Sequence, residues 1–181
     1  MKNKIIYSIL IACSLTVYSC KPGKDKMKET IVLNEEKLFN NSTKMLDTAV
    51  ANTILKTYME FADRFADDTL APAYLFKAGD LLNGMRKYKE AIETFGQFRQ
   101  KFPDHRKAPV ALFLQAFIND NNLHDVEHAK ILYSEFLQKY PNHELTPSAK
   151  ASLNQLNLGL TDEQLIKMFE AEHDSLAKAG K

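Results

Sequence analysis

Apolar residues recur at helical spacing in three long stretches of the chain. Tyr88, Ala91, Ile92, Phe95, Phe98 and Phe102 step by three and four, which puts them on one face of a helix. Ala129, Leu132, Tyr133, Phe136, Leu137 and Tyr140 repeat that stripe. Leu46, Val50, Ile54, Tyr58, Phe61 and Phe65 form an earlier copy, with Ser42 or Thr43 as candidate caps. Each stripe runs into a related phrase: FADDTLAP at 65–72, FPDHRKAP at 102–109 and YPNHELTP at 140–147. Pro103 and Pro141 end their helices, because proline lacks the amide and clashes with the preceding turn.

Pro72, Pro109 and Pro147 take the opposite part, as first residue of a new helix, where the missing amide would be unpaired anyway. Ala71, Ala108 and Thr146 then become the caps, since a residue before proline avoids helical torsions. These prolines lie 37 and 38 residues apart, and the columns Tyr58/Phe95/Tyr133 and Phe61/Phe98/Phe136 keep the same intervals. Self-similarity at such a period predicts a solenoid of helix hairpins. The first helices of the hairpins span about Pro72–Asn83, Pro109–Asp120 and Pro147–Leu156. Small Gly79 and Ala116 let neighbours approach, and Asn83-Gly84 and Asn119–Asn122 close the hairpins. Thr161 to Gln164 forms a capping box ahead of Leu165, Ile166 and Phe169, which predicts a C-terminal capping helix to about Lys178. Residues 29–40 are ambiguous: Leu33, Leu38 and Phe39 suit a short helix over the N-terminal end.

These residues resemble the tetratricopeptide repeat (TPR). With Pro72 as first position, Gly79 falls on the small eighth, Leu82 on the eleventh and Tyr88 on the seventeenth. Ala91 falls on the small twentieth, Phe95 on the aromatic twenty-fourth and Pro103 on the thirty-second. Ala116, Ala129, Tyr133 and Pro141 follow suit in the next copy, after one inserted residue. Phe98 and Phe136 depart from the pattern, standing where the family usually has alanine. The fold so implied is all-α, a short right-handed TPR-like solenoid of antiparallel hairpins. The long period and the extra aromatic resemble BamD-type outer-membrane assembly lipoproteins and YbgF-type periplasmic proteins. The whole divides into a leader at 1–19, a tether and possible short helix at 20–40, the solenoid at 41–160 and the cap at 161–181.

The leader changes the picture of where the protein works. Lys2 and Lys4 precede an uncharged apolar stretch, Ile5–Tyr18, too short to span a bilayer comfortably as a helix. It resembles a bacterial lipoprotein signal, with Cys20 after small Ser19 as the acylated residue. Cys13, behind Leu10-Ile11-Ala12, is the alternative lipidation site; ordinary cleavage or an uncleaved anchor is another. A multiply acylated Cys20 anchors the chain to a membrane through Lys21–Lys28, read as a polar tether. Lys21-Pro22 is no acidic retention start, which points to the outer membrane, facing the periplasm.

Charge adds little: 24 Lys and Arg face 23 Asp and Glu, so no nucleic-acid footprint exists. Both cysteines lie in the first twenty residues, which leaves the folded domain without a disulfide framework. There is no phosphate loop, nucleophile elbow or Ser/His/Asp arrangement, and the chain reads as a non-enzyme without cofactor. His124 and His128 sit at a spacing that can hold a metal, without a third ligand; they make a metal-binding lipoprotein the least favoured alternative. His105 and His143 recur at one repeat position and read as turn residues. The resemblance implies partner binding in a concave groove lined by the first helix of each hairpin. That groove comprises Phe76, Asp80 and Asn83, then Phe113, Phe117 and Asp120, with Ala73, Gly84, Val110 and Asn121 at its margins. It holds no Lys or Arg, so an apolar or mildly basic peptide is the expected ligand, unless residues 29–40 or the last helix cover the rings. The implied role is a protein-binding scaffold of the bacterial envelope, in outer-membrane protein assembly or as an adaptor of an envelope-maintenance or division complex.

Overall fold

A computed structural model describes residues 23–39 and 47–159, with Gln164 and Lys167 in addition. The leader, Cys20, Ser42, Thr43 and nearly all of the capping segment lie outside these residues. Within residues 23–159 the described residues form seven α-helices: α1 (Lys24–Phe39), α2 (Thr48–Arg64), α3 (Ala71–Gly84), α4 (Tyr88–Lys101), α5 (Ala108–Ile118), α6 (Val126–Lys139) and α7 (Thr146–Leu158). Each packs on the next, giving an all-α solenoid of antiparallel hairpins.

α1 departs from the sequence reading. It starts at Lys24, so most of the polar segment read as a tether is helical. It docks through Met27 and Ile31, each 1% exposed, while Leu33 faces water and Leu38 is half-buried. Helix α1 is thus the partner of α2 in a first hairpin. The sparse stripe of Met27 and Ile31 is a weak signal, and ion pairs supplement it. Lys24 and Lys28 both reach Asp68 at 3.1 Å, and Lys77 on α3 meets Glu35 at 2.6 Å. Helix α2 is capped by Asp47, whose carboxylate accepts from the Ala49 and Val50 amides at 3.0 and 3.1 Å.

The three turns read from the repeated phrase share one conformation. Phe65, Phe102 and Tyr140 end their helices at φ −128°, −130° and −130°. The next helix begins one residue earlier than the sequence predicts, at Ala71, Ala108 and Thr146, with Leu70, Lys107 and Leu145 as caps. Each proline is therefore second in its helix, where the amide is still an orphan. In every turn one side chain accepts from the amide two residues on: Asp68 from Leu70 at 3.0 Å, His105 from Lys107 at 3.1 Å and His143 from Leu145 at 3.1 Å.

The hairpin tips differ from expectation as well. Gly84 remains helical, and the left-handed residue is Arg86 at φ 59°. The inserted residue of the third hairpin is absorbed as a π-turn, Asn119–Leu123, with His124 left-handed at φ 53°. Gly79 needs its lack of side chain, since a Cβ there would lie 2.6 Å from Phe95 Cε1. Phe61, Phe98 and Phe136 are fully buried. The rings of His105 and His143 meet Phe98 and Phe136 edge-on at 5.4 and 5.6 Å, so these extra aromatics anchor the turns that follow them.

Candidate binding face

The first helices of the hairpins present the proposed groove, and its six residues prove unequal. Phe76 is 4% exposed, wedged 5.4 Å from both Phe95 and Phe98, with Lys107 Nζ 4.1 Å above its ring. It belongs to the core, which corrects the expectation of a strip of three open phenylalanines. The corresponding ring one repeat on, Phe113, is half-buried against Tyr133 and Phe136, both 5.8 Å away. Phe117 is 41% exposed and stacks on Phe113 at 6.3 Å and 22°. The helix cap that follows each ring also differs. Lys107 lays its ammonium over Phe76, whereas the matching residue, Leu145, packs into the cluster that contains Phe113.

Asp80 is exposed and Asn83 half-buried on the same face of α3. Crowding around Asp80 raises its carboxyl above the ordinary value, and the Lys107 charge opposes that rise. A cation therefore reaches this face from the helix cap, although none occupies the expected lining positions. Asp120 lies half-buried in the π-turn, with Oδ2 3.4 Å from the Tyr133 hydroxyl. That tyrosine is pushed up to about 12, chiefly by burial, with a Ser152 hydrogen bond opposing and Asp120 adding to the rise. Asp120 thus serves α6 as much as it serves a groove.

α1 does not lie over Phe117; its resolved polar contacts are with α2, α3 and the turn between them. Glu35 accepts from the Tyr58 hydroxyl, whose pKa is raised mainly by burial and then by that bond.

The histidine pair takes another form than the spacing predicts. His124 lies outside α6 in left-handed backbone, while Asp125 is the helix cap and accepts from the His128 amide at 3.2 Å. His128 Nδ1 pairs with Asp125 Oδ2 at 2.8 Å. The two imidazoles do not share one helical face. Among the described residues no group of three or more His, Cys, Asp or Glu is placed to hold a metal.

One feature escaped sequence reading. Gln115, 7% exposed in the otherwise apolar α5, donates to the Ile92 carbonyl at 2.8 Å and accepts from Arg99 at 2.7 Å. Arg99 also pairs with Glu135 on α6, which Lys139 meets at 2.8 Å. Burial works to raise the Glu135 carboxyl, and the two cations outweigh it and hold it low. The chain of contacts ties α4, α5 and α6 together. Its one signal in the sequence is a glutamine within APVALFLQAFI.

A family model described as tetratricopeptide repeat matches residues 73–105, which span most of α3, all of α4 and the turn up to His105. No curated protein matches the chain.

Proposed function

We propose that this chain, which carries a tetratricopeptide repeat within a solenoid of like hairpins, is a lipid-anchored scaffold of the bacterial envelope that holds a protein partner on its inner face. Tetratricopeptide repeats are protein-interaction modules, and stacked hairpins offer an extended surface to a partner. The observation that carries the reading is Phe117. A large ring, 41% exposed and held in place by Phe113 beneath it, is a pre-positioned anchor for an apolar side chain. Asp80, on the same face, adds acidity that suits a mildly basic segment.

The envelope location rests on the basic, apolar leader and on Cys20, whose acyl chains would hold the protein at a membrane. The Lys21-Pro22 start supports the outer membrane, facing the periplasm. A part in outer-membrane protein assembly is the role that the BamD-like period and the buried Phe98 and Phe136 columns support best.

Crosslinking in the protein's own cells, followed by purification of the wild type and of Phe117→Asp, tests the reading. The exposed ring can be replaced with helicity preserved, and a partner crosslinked to the wild type should be lost. Recovery of the same partners in the same amounts would refute the inner face as the site. Phe113→Asp is the poorer probe, since it would place a charge against Tyr133 and Phe136.

A further inference from the structure

We infer that the edge of the solenoid made by the turns Phe65–Leu70, Phe102–Lys107 and Tyr140–Leu145 faces the lipid headgroups of the membrane that carries the acylated Cys20. This rests on the anchoring reading above and adds an orientation to it. Helical bonding begins at Gly23, whose carbonyl accepts from the Met27 amide at 3.1 Å. Only Lys21 and Pro22 separate Gly23 from Cys20. Three peptide steps reach about 11 Å at full extension. The start of α1 therefore cannot stand far from the acyl chains.

The first turn of α1 is fixed to the body of the protein. Met27 is buried, and Arg64 donates to its sulfur at 3.4 Å. Lys24 and Lys28 hold Asp68 in the first turn segment, with Lys24 Nζ 6.0 Å from the Phe65 ring. The other two turns share this edge because the helices alternate in direction. Lys101 pairs with Asp63, and Arg99 with Glu135, which joins the last turns of α2, α4 and α6. The hairpin tips at Arg86 and His124 stand at the opposite edge. A helix of 14 residues, such as α3, separates the two edges by about 21 Å.

Charge on the turn edge is mixed: Asp67, Asp68, Asp104 and Glu144 accompany Lys24, Lys28 and Arg106. An edge so balanced gains little from anionic lipid, and the acyl chains supply the hold. The helices then stand upright on the bilayer, and a partner approaches Phe117 from the side.

Single cysteines test this in the full acylated protein on vesicles of neutral phosphatidylcholine. Cleavage at Cys20 removes Cys13, and acylation occupies the Cys20 thiol, so an introduced cysteine is the one free thiol. Asp104→Cys and Glu144→Cys report the turn edge; Lys89→Cys and Glu127→Cys report the opposite edge, and all four positions are exposed. A fluorophore at each is exposed to a quencher carried on lipid headgroups. With edges about 21 Å apart, quenching at the first pair should exceed that at the second about twofold or more. The ratio should hold from low to high salt. Equal or reversed quenching on an acylated protein would overturn the orientation and leave the anchor standing. A mass spectrum showing Cys20 without acyl chains would overturn both.

Discussion

The turn at 65–70 and the turn at 102–107 have the same backbone and different chemistry. Both follow an aromatic at nearly equal φ, and both return one side chain to the amide two residues on. In the second turn that acceptor is an imidazole packed on Phe98, and proline stops the helix. In the first it is the Asp68 carboxylate, no proline is present, and Lys24 and Lys28 of α1 converge on it. Aromatic packing fixes the second turn from within its own repeat. The first turn draws its support from another helix, so it doubles as the docking point for the N-terminal hairpin. A conformation can be kept while its maintenance passes from packing to charge.

The largest expected effect tests the packing half. Phe98→Ala removes a fully buried ring and should cost about 3–5 kcal/mol. Chemical denaturation with unchanged helicity in buffer measures it, and a loss below about 1 kcal/mol would show that the turn does not need the ring. Gly79→Ala comes next. Its Cβ meets the Phe95 ring, and overpacking of that kind costs about 1–3 kcal/mol by the same measurement.

His105→Ala removes both the acceptor for Lys107 and the edge-on contact with Phe98, for an expected loss of about 1–2 kcal/mol. Asp68→Asn keeps an acceptor for Leu70 and weakens the attraction of two lysines. It should leave global stability almost unchanged and speed amide exchange in α1 around Met27 and Ile31. Spread of that effect into α4 or α5 would contradict a local docking role.

The smallest effect is a difference in pH response. Burial, then the charges of Arg106 and Lys107, hold the His105 imidazole below its ordinary 6.5. The unfolded chain takes up that proton first, so the contribution of this turn is lost as pH falls below 6.5. Asp68 behaves otherwise. The Leu70 amide, helped by Lys24 and Lys28, brings its carboxyl from 3.8 to about 2. Its contribution is complete above 3.8 and is lost only as pH falls toward 2. At about pH 5 the Lys107 amide should exchange faster relative to its intrinsic rate than at neutral pH, while the Leu70 amide keeps its protection. Equal behaviour of the two amides would erase the distinction between the turns.

What the chain determines by itself is the repeated local code. Stripes at helical spacing and a proline just inside the next helix, with a proline past the helix in two of the three copies, fix α2 to α7 and the turns between hairpins from neighbours within a few residues. Those signals are short-range, so a linear pattern carries them. The all-α solenoid was therefore legible, as was the tightness at Gly79. Three matters were settled only in three dimensions. α1 lacks a strong stripe and is held through its Lys28 by Asp68 and through its Glu35 by Lys77, groups 40 and 42 residues away. Gln115 has its partners on α4, and Arg99 of that group extends the link to α6. The groove was legible as a set of positions, yet which rings stay open was not: Phe76 is packed on Phe95 and Phe98 under Lys107, while Phe117 keeps a free face. Burial is decided by what neighbouring helices lay on a side chain, and a residue's own period does not contain that information.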